Sequence, residues 1–495
     1  MTLTSLITAS EGFPALERLA ASAREELVLS FRIFDPRTKL RSPELRERGL
    51  ETSADLLAMI ARRGVRIRML LSDFDPVFTS DLHRLAWSSA SGFASVLQGD
   101  AKVICAPHGQ MAGPLWRVMM RGRIMRMLNK LRSDEPTRLT PVQRSLLEGP
   151  VPLRPVTIHQ KFAVADSARC IIGGLDVNER RYDDFEHDQP AEETWHDVSM
   201  QVDDADFAAA LRLHFSETWN AALDCGSPCL NGTAERMPTD VRPQTSPDLR
   251  LVRTVSSPCP GPLRLAPRAS VQEHEKAMIA LIGEAQHHIY IETQFLRHRP
   301  IVDALVRAGE RIADLQLVII LPPAAERVLF NSDVGWDARH GHALQTEAAQ
   351  RLGKIYGDRL AMISPGQTRP AEEGAADMLD AGPIYVHSKV IVVDDRVGMV
   401  GSANLNGRSM RWDTEASVLF RRPEDAKALR ERLATKWLGP RLGAQSTVLA
   451  KTWRQAALAN AAVPPEEREG FALPYPSASG RKFSRFVPVL PADMF

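Results

Sequence analysis

Two copies of one short pattern carry the residue types that can do chemistry in this chain. Each copy reads His-x-Lys-x4-Asp, formed by His159, Lys161 and Asp166 in the first copy and by His387, Lys389 and Asp394 in the second. One such copy is a common arrangement on a half-exposed strand, whereas two copies with matching surroundings are far rarer by chance. We therefore interpret the six residues as one composite catalytic site.

A glycine-led turn follows each copy at the same distance. In both copies the first glycine lies seven residues after the aspartate. Because glycine lets the backbone approach an anion closely, these turns are predicted to border a phosphate group. The residues assigned to this role are Gly173, Gly174 and Asp176 in the first turn and Gly401, Ser402 and Asn404 in the second.

The chemistry that suits two histidines and two lysines around one anion is phosphodiester cleavage. Segments 158–166 and 386–394 read as strands, so the His and Lys of each copy should share a strand face. Lysines bind phosphate oxygens and stabilise the five-coordinate transition state. One neutral imidazole can attack phosphorus, and the other can protonate the leaving alcohol. Protein cations neutralise the developing charge, so we expect no metal and no other cofactor.

The elements that must position these motifs repeat along the chain. A helical pattern followed by an apolar strand occurs at 14–34 and again at 273–296. Strands that alternate with helices at this spacing favour βαβ units and a mainly parallel sheet. We predict an N-terminal half at 1–224, a linker at 225–267 rich in Pro, Ser and Thr, a C-terminal half at 268–445 and an extension at 446–495.

Composition argues against several classes of protein. The 495 residues include 62 Lys and Arg against 61 Asp and Glu, a balance that weighs against a dedicated nucleic-acid binder. Five cysteines do not suggest a disulfide framework. The N-terminus has no signal-peptide pattern, and no run of about 18 apolar residues predicts a membrane span. We expect a cytoplasmic protein that contacts membranes peripherally.

Segment 114–132 is the candidate for that membrane contact. Its apolar residues fall on one helical face, flanked by basic residues, as in helices that bind anionic bilayers. The residues assigned to the contact are Trp116, Arg121 and Arg126. The alternative is a core helix with a solvated basic flank.

The paired motifs resemble those of the phospholipase D superfamily, over about residues 15–441. The first turn, followed by Arg181-Tyr182-Asp183, is similar to the first motif of the eukaryotic-type phospholipases. Segment 289–295 resembles their Ile-Tyr-Ile-Glu-Asn-Gln block, with Thr293 in place of Asn, and Trp195-His196-Asp197 resembles another of their blocks. The resemblance implies a duplicated α/β/α fold with two mixed sheets related by a pseudo-twofold axis. The resemblance is to a catalytic core of bacterial style, so we expect no added lipid-binding modules.

The resemblance also implies roles for individual residues. His159 becomes the nucleophile and His387 the general acid. An acidic residue downstream of each motif supports the histidine, which assigns Asp197 to His159 and Glu415 to His387. A carboxylate bonded to imidazole fixes its tautomer and raises its pKa.

The function implied is hydrolysis of a glycerophospholipid to phosphatidic acid and a free headgroup alcohol. The partners are then a phospholipid surface and water or a small alcohol, which permits transphosphatidylation, and no nucleic acid is expected. The alternatives are a cardiolipin- or phosphatidylserine-type synthase, a nuclease of the same superfamily, and a non-enzymatic membrane-binding scaffold.

Overall fold

Two mixed β-sheets, one from each half of the chain, form the framework that holds the paired motifs. Strands β6 and β7 of the first sheet contact β15 and β16 of the second, so the sheets pack against each other at the motifs. The expected fold class, two mixed sheets in an α/β protein, is confirmed. The computed structural model describes residues 2–149, 151–240, 243, 246–258, 267–330, 335–439, 446–477, 483–486 and 492–495.

The first sheet has seven strands in the order β1-β7-β6-β5-β2-β3-β4. Strands β2, β3 and β4 run parallel to one another, and the other neighbours are antiparallel. The strands are β1 (Thr2–Ile7), β2 (Glu26–Phe31), β3 (Arg66–Ser72), β4 (Ala101–Ala106), β5 (Phe162–Ala165), β6 (Arg169–Gly173) and β7 (Val198–Asp203).

The second sheet repeats this arrangement with more strands. Its order is β13-β12-β11-β10-β14-β15-β16-β8-β9, with β17 paired to β12, and only β10, β11 and β12 are mutually parallel. The strands are β8 (Leu249–Ser257), β9 (Arg268–Gln272), β10 (His288–Glu292), β11 (Gln316–Ile320), β12 (Leu360–Pro370), β13 (Ala381–Pro383), β14 (Val390–Val393), β15 (Val397–Gly401), β16 (Glu415–Phe420) and β17 (Ala472–Pro474).

Helices cover the sheets with apolar faces. Two of them begin with a capping box, in which Thr52 and Thr140 accept from the third helical N–H. The helices are α1 (Thr8–Ser22), α2 (Pro43–Arg46), α3 (Ser53–Arg62), α4 (Ser80–Val96), α5 (Pro114–Met119), α6 (Arg121–Ser133), α7 (Pro141–Glu148), α8 (Ala205–Asp224), α9 (Glu273–Glu284), α10 (Arg299–Arg311), α11 (Glu326–Leu329), α12 (Trp336–Tyr356), α13 (Gly407–Arg411), α14 (Pro423–Leu438) and α15 (Ala450–Ala461).

Several predicted boundaries differ from the structure. The predicted linker contains β8, which pairs with β16 inside the second sheet. The predicted extension supplies α15 and β17, and β17 pairs with β12. Regular strand covers only the last part of each predicted motif strand, so both histidines lie on extended segments ahead of β5 and β14. Part of the predicted linker, 259–266, lies outside the described residues.

The motif aspartates stabilise a hairpin turn in each half. Asp166 directly follows β5 and Asp394 directly follows β14, both with a positive φ of 53°. The Asp166 carboxylate accepts backbone N–H groups of residues 24–26 at 2.8–3.2 Å, and the Asp394 carboxylate accepts those of residues 286–288 at 2.8–2.9 Å. These bonds lower the pKa of both carboxyls against the opposing effect of burial. Each aspartate therefore joins its hairpin to the start of the neighbouring strand.

We expect Asp166→Asn to lower the free energy of unfolding by about 1–2 kcal/mol, because an amide offers one neutral acceptor where a carboxylate satisfies three donors. The measurement is urea unfolding. Ser167→Asn is the matched control, since it occupies the same turn with a φ of 51° and accepts none of these bonds. Equal stability of the two variants would contradict this role.

Candidate active site

A cavity of 520 Å³ opens where the two halves meet, and both motif histidines line it. One part of its wall is apolar, formed by Phe74, Phe78, Leu82, Trp116, Met120 and Leu153. The part around the histidines is polar and rich in arginine. An elongated ligand with a charged centre and an apolar end fits this division of the wall.

Backbone hydrogen bonds between the halves hold the two histidines in place. The His159 N–H donates to the Thr414 carbonyl at 2.8 Å, and the His387 N–H donates to the His196 carbonyl at 2.8 Å. In return, the Thr414 N–H donates to the Thr157 carbonyl at 3.0 Å, and the His196 N–H donates to the Tyr385 carbonyl at 2.9 Å. Each pair of segments thus forms a short parallel β-bridge. Each histidine is therefore fixed to the chain of the opposite half.

The residue after each bridge is the supporting acid, and it too belongs to the opposite half. Glu415 Oε1 lies 2.9 Å from His159 Nδ1, and Asp197 Oδ2 lies 2.6 Å from His387 Nδ1. We expected Asp197 to support His159 and Glu415 to support His387, and this pairing is wrong. Aligning the two halves identifies the two acids, but it does not tell whether each acid supports the histidine of the same half or that of the opposite half.

Burial dominates the electrostatics of the site. It lowers the pKa of His159 and His387 well below the usual range, and the lysine charges act in the same direction. The net effect is a lowered histidine pKa, opposite to the increase that we expected from the carboxylates. Burial also raises the pKa of both supporting acids, Asp197 and Glu415. Each acid hydrogen-bonds Nδ1 of its histidine, which leaves Nε2 as the nitrogen available for reaction.

The two motif lysines lie in a layer behind the histidines rather than on the cavity wall. Lys161 Nζ donates to the His159 carbonyl at 2.5 Å, and Lys389 Nζ donates to the His387 carbonyl. Burial lowers the pKa of Lys161, and it lowers that of Lys389 to about 7. Their charges therefore act on the reaction centre from close behind it.

The glycines of the two turns make room for the acids. A Cβ at Gly173 would lie 2.5 Å from the Cα of Ser199, and one at Gly174 would lie 2.2 Å from Asp197 Oδ1. A Cβ at Gly401 would lie 2.4 Å from the Cα of Ser417. These residues admit the strand that carries the acid, so the expected phosphate-binding turn is not what the structure shows.

The other turn residues have separate positions. Ser402 Oγ donates to Glu415 Oε2 and orients that carboxylate. Asp176 is fully buried and accepts the Ile33 N–H at 2.9 Å, away from the cavity wall. Asn404 lines the cavity. Asp166 and Asp394, which we assigned to the catalytic set, hold the hairpin turns and do not reach the cavity.

Helices α5 and α6 form the predicted amphipathic segment, with a break at Met120. The face that contains Trp116, Ile124 and Leu131 is buried, so Trp116 is a wall residue of the cavity and not an exposed membrane contact. Arg121 and Arg126 are exposed. The amphipathic pattern therefore predicted the helix correctly, but its apolar stripe, with Trp116, is buried inside the protein.

Sequence reasoning missed the arginines of the cavity wall. Arg32, Arg154, Arg327 and Arg408 line it, together with Arg181, which was noted only as part of a resemblance. None belongs to the repeated pattern, and a comparison of equivalent positions in the two halves would have been needed to single any of them out. Asp413 also lines the cavity, where it pairs with Arg408 at 2.8 Å.

Within the described parts of the chain, no group of three or more His, Cys, Asp or Glu side chains is arranged to hold a metal ion. None of the helices described above is long and apolar enough to cross a bilayer.

Several known proteins are similar to this chain in sequence. A family model described as "Cardiolipin synthase, PLD-like domain" matches residues 278–437. Phospholipase D1 of Saccharomyces cerevisiae is 24% identical over 348 residues, covering 53% of this chain and 20% of that enzyme. Phospholipase D zeta 1 of Arabidopsis thaliana is 28% identical over 251 residues, covering 44% of this chain and 21% of that one. The chain thus matches only about a fifth of the length of these two relatives.

A solved structure supports the fold. The chain is similar to phosphatidylserine synthase of Haemophilus influenzae with a TM-score of 0.55 and 13% identity, covering 88% of this chain and 85% of the other. The family model and the curated relatives support membership of the phospholipase D superfamily. Among curated relatives it is similar to phospholipases D of fungi and plants and to a cardiolipin synthase of Pseudomonas fluorescens, which is 23% identical over 265 residues, 53% of this chain and 43% of that enzyme.

The crosswise pairing makes a spectroscopic prediction. At pH 9, above the value of about 8 to which burial raises the pKa of Glu415, Glu415→Gln should shift the Nδ1 proton resonance of His159 upfield and leave that of His387 in place, because a charge-assisted bond to carboxylate deshields the proton. Asp197→Asn should do the reverse. Proton NMR with histidine-selective labelling measures both resonances. If Glu415→Gln instead shifted the His387 resonance and Asp197→Asn the His159 resonance, each acid would support the histidine of its own half.

Proposed function

We propose that this protein cleaves the distal phosphodiester bond of a glycerophospholipid through a phosphohistidine intermediate, releasing phosphatidic acid and the headgroup alcohol. The observation that carries the proposal is the pair of imidazoles on one cavity, each with Nδ1 held by a buried carboxylate. A fixed tautomer leaves Nε2 of each ring free to react with phosphorus or to move a proton.

The reaction proceeds in two displacements. Nε2 of neutral His159 attacks phosphorus, the P–O bond to the headgroup breaks, and His387 donates a proton to the departing oxygen. His387 then takes a proton from water, whose oxygen attacks phosphorus and breaks the P–N bond. The order of the two histidines follows the family resemblance, because the geometry is nearly symmetric.

Substrate charge completes the protonation pattern. Burial and the lysine charges lower the pKa of both histidines, which suits the nucleophile but not the general acid. A bound phosphodiester anion opposes the lysine charges and stabilises one imidazolium. Binding of the anion therefore prepares the proton that the leaving oxygen needs.

The apolar part of the wall supports a lipid substrate. Trp116 and Met120 line the cavity, and the residues beside them on α5 are exposed: Val118 at 70% and Met119 at 62% of full exposure. An acyl chain can follow this apolar path from the bilayer into the cavity.

We also propose a membrane contact on what we call the α5–α6 surface, defined by Met111, Leu115, Val118, Met119 and Met125 with Arg117, Arg121 and Arg126. No acidic residue occurs in segment 111–133. Exposed apolar side chains surrounded by arginines fit the headgroup region of an anionic bilayer.

A synthase is the second candidate. A phosphohistidine can be attacked by an alcohol in place of water, and the matching family model is of the cardiolipin synthase type. The same site then transfers a phosphatidyl group to a lipid alcohol.

A product assay decides among these reactions. With mixed phospholipids, the wild type should release phosphatidic acid, add a new phospholipid when ethanol or glycerol is present, and leave plasmid DNA intact. His159→Ala should lower the rate by at least about a thousandfold, since nucleophile and proton carrier act as a unit. A new phospholipid without added alcohol would favour the synthase, nicked DNA would favour a nuclease, and no product at all would favour a scaffold.

Arg121→Glu combined with Arg126→Glu should weaken binding to anionic vesicles by roughly tenfold or more, because each basic residue near the surface contributes about 1 kcal/mol. Vesicle co-sedimentation measures the binding. Turnover of a soluble diester should be unchanged. Arg46→Glu with Arg48→Glu, two exposed arginines of another surface, is the control. Equal loss in both pairs, or no loss in either, would contradict the contact.

A further inference from the structure

The cavity wall differs between two halves whose catalytic groups match. Strand β2 pairs with β5 in the same register in which β10 pairs with β14, so Arg32 and Gln294 occupy equivalent positions. Both residues line the cavity. A cation in one half therefore stands where the other half has a neutral amide.

A second pair of positions shows the same difference. The Arg181 N–H donates to the Asn178 side chain at 3.2 Å, and the Ser409 N–H donates to the Asn406 side chain at 3.0 Å. Both turns follow their glycine at the same distance, and Arg181 and Ser409 both line the cavity. The N-terminal half again supplies a cation where the C-terminal half supplies a neutral group.

These two arginines lack close carboxylate partners among the described residues. Arg32 makes no ion pair there, and its buried Nε has no hydrogen-bond partner. Arg181 is 5% exposed, its Nε also has no partner, and its nearest carboxylate oxygen, on Asp176, is 4.0 Å away. Leaving buried donors unsatisfied is costly, so a ligand that satisfies them gains affinity.

Acids on the cavity wall have partners of their own. Asp413 pairs with Arg408 at 2.8 Å, and Glu326 pairs with Arg180 at 2.6 Å. Asp75 accepts backbone N–H groups, including that of Arg154 at 3.1 Å. None of these carboxylates lies within ion-pair distance of Arg32 or Arg181 in the described structure.

Aromatic rings hold both guanidinium groups. Arg32 lies over Phe74 at 5.0 Å, and Arg181 lies over Trp195 at 4.2 Å. The Trp195 ring in turn contacts the His387 ring, with the centroids 4.6 Å apart and the planes tilted by 37°. A guanidinium stacked on a ring keeps its N–H edge directed for bidentate binding of a phosphate or carboxylate.

We propose that Arg32 and Arg181 bind a second anionic group, a phosphate or a carboxylate, on the substrate headgroup next to the scissile phosphodiester. This assignment rests on the proposed function and specifies its substrate class: a phospholipid whose headgroup carries its own anion. If the arginines served only the scissile phosphate, which lies between the two halves, nothing would require them on one side alone.

Matched substrates test the proposal. Dihexanoyl phosphatidylserine and phosphatidylethanolamine differ by one carboxylate, and dihexanoyl phosphatidylglycerophosphate and phosphatidylglycerol differ by one phosphate. Used as monomers, they remove surface-charge effects. The wild type should favour the more anionic member by roughly ten- to hundredfold in kcat/KM, the effect of one charge-assisted contact. The pair with the larger preference identifies the anion as carboxylate or phosphate.

Two substitutions replace each arginine by the residue at the equivalent position of the C-terminal half. Arg32→Gln and Arg181→Ser should each reduce that preference to within about threefold of unity while the less anionic substrate changes little. Arg41→Gln is the control, because Arg41 lies over Tyr182 at 3.7 Å and pairs with Glu179 outside the cavity. Equal losses on both members of a pair would overturn the proposal, since the arginines would then serve the scissile phosphate.

A binding measurement separates this proposal from the proposed function. Calorimetry with the His159→Ala protein should show tighter binding of glycerophosphoserine than of glycerophosphoethanolamine, and Arg32→Lys, which keeps the charge without the planar fork, should retain part of the difference. If the wild type cleaves no lipid, the proposed function fails while this comparison still decides the anion site. Equal affinity for the carboxylate pair, together with equal affinity for glycerophosphoglycerophosphate and glycerophosphoglycerol, overturns it.

Discussion

The hydrogen bonds that cross between the halves are the constraint on which the site depends. His159 and His387 each take a backbone acceptor and a carboxylate from the opposite half. Neither half alone holds a histidine in a defined tautomer. The sheet contacts, the glycines that admit the acids and the hairpin turns all maintain the distance across which these bonds form.

A second layer of polar bonds supports the same crossing. Glu292 hydrogen-bonds to His196 at 3.0 Å and accepts from Ser388 at 2.6 Å, Tyr290 at 2.6 Å and Trp437 at 2.7 Å. Burial opposes its charge, yet these partners lower its pKa. Since His196 carries the carbonyl that binds His387, this buried carboxylate fixes the backbone behind that histidine. The four hydrogen bonds that Glu292 makes offset the cost of burying its charge.

The sequence was sufficient to predict that the histidines converge and that two downstream acids support them, but not which acid meets which histidine. Both pairings satisfy the same local pattern, and only the path of the chains across the interface separates them. The same holds for Asp166, whose place in the motif suggested catalysis, although three backbone donors determine its position. Local spacing identifies residue types, whereas partners distant in sequence determine their roles.

The fold shows a similar limit. Periodicity predicted α6 and its apolar stripe, but what covers that stripe depends on residues far along the chain. Strand β8 was missed because it lies in a segment rich in Pro and Ser, and its pairing partner β16 begins more than 150 residues later. The strands that hold the motifs were predictable because their apolar residues are continuous.

The fusion of the two halves in one chain has a consequence for how such a site can change. In a dimer of identical halves, any residue that faces the substrate appears twice, so a preference for one end of the substrate cannot be encoded. In a single chain each copy accepts substitutions independently. The difference between Arg32 and Gln294 can therefore arise in a single chain but not in a dimer of identical halves. It makes the two sides of a nearly symmetric reaction centre chemically distinct.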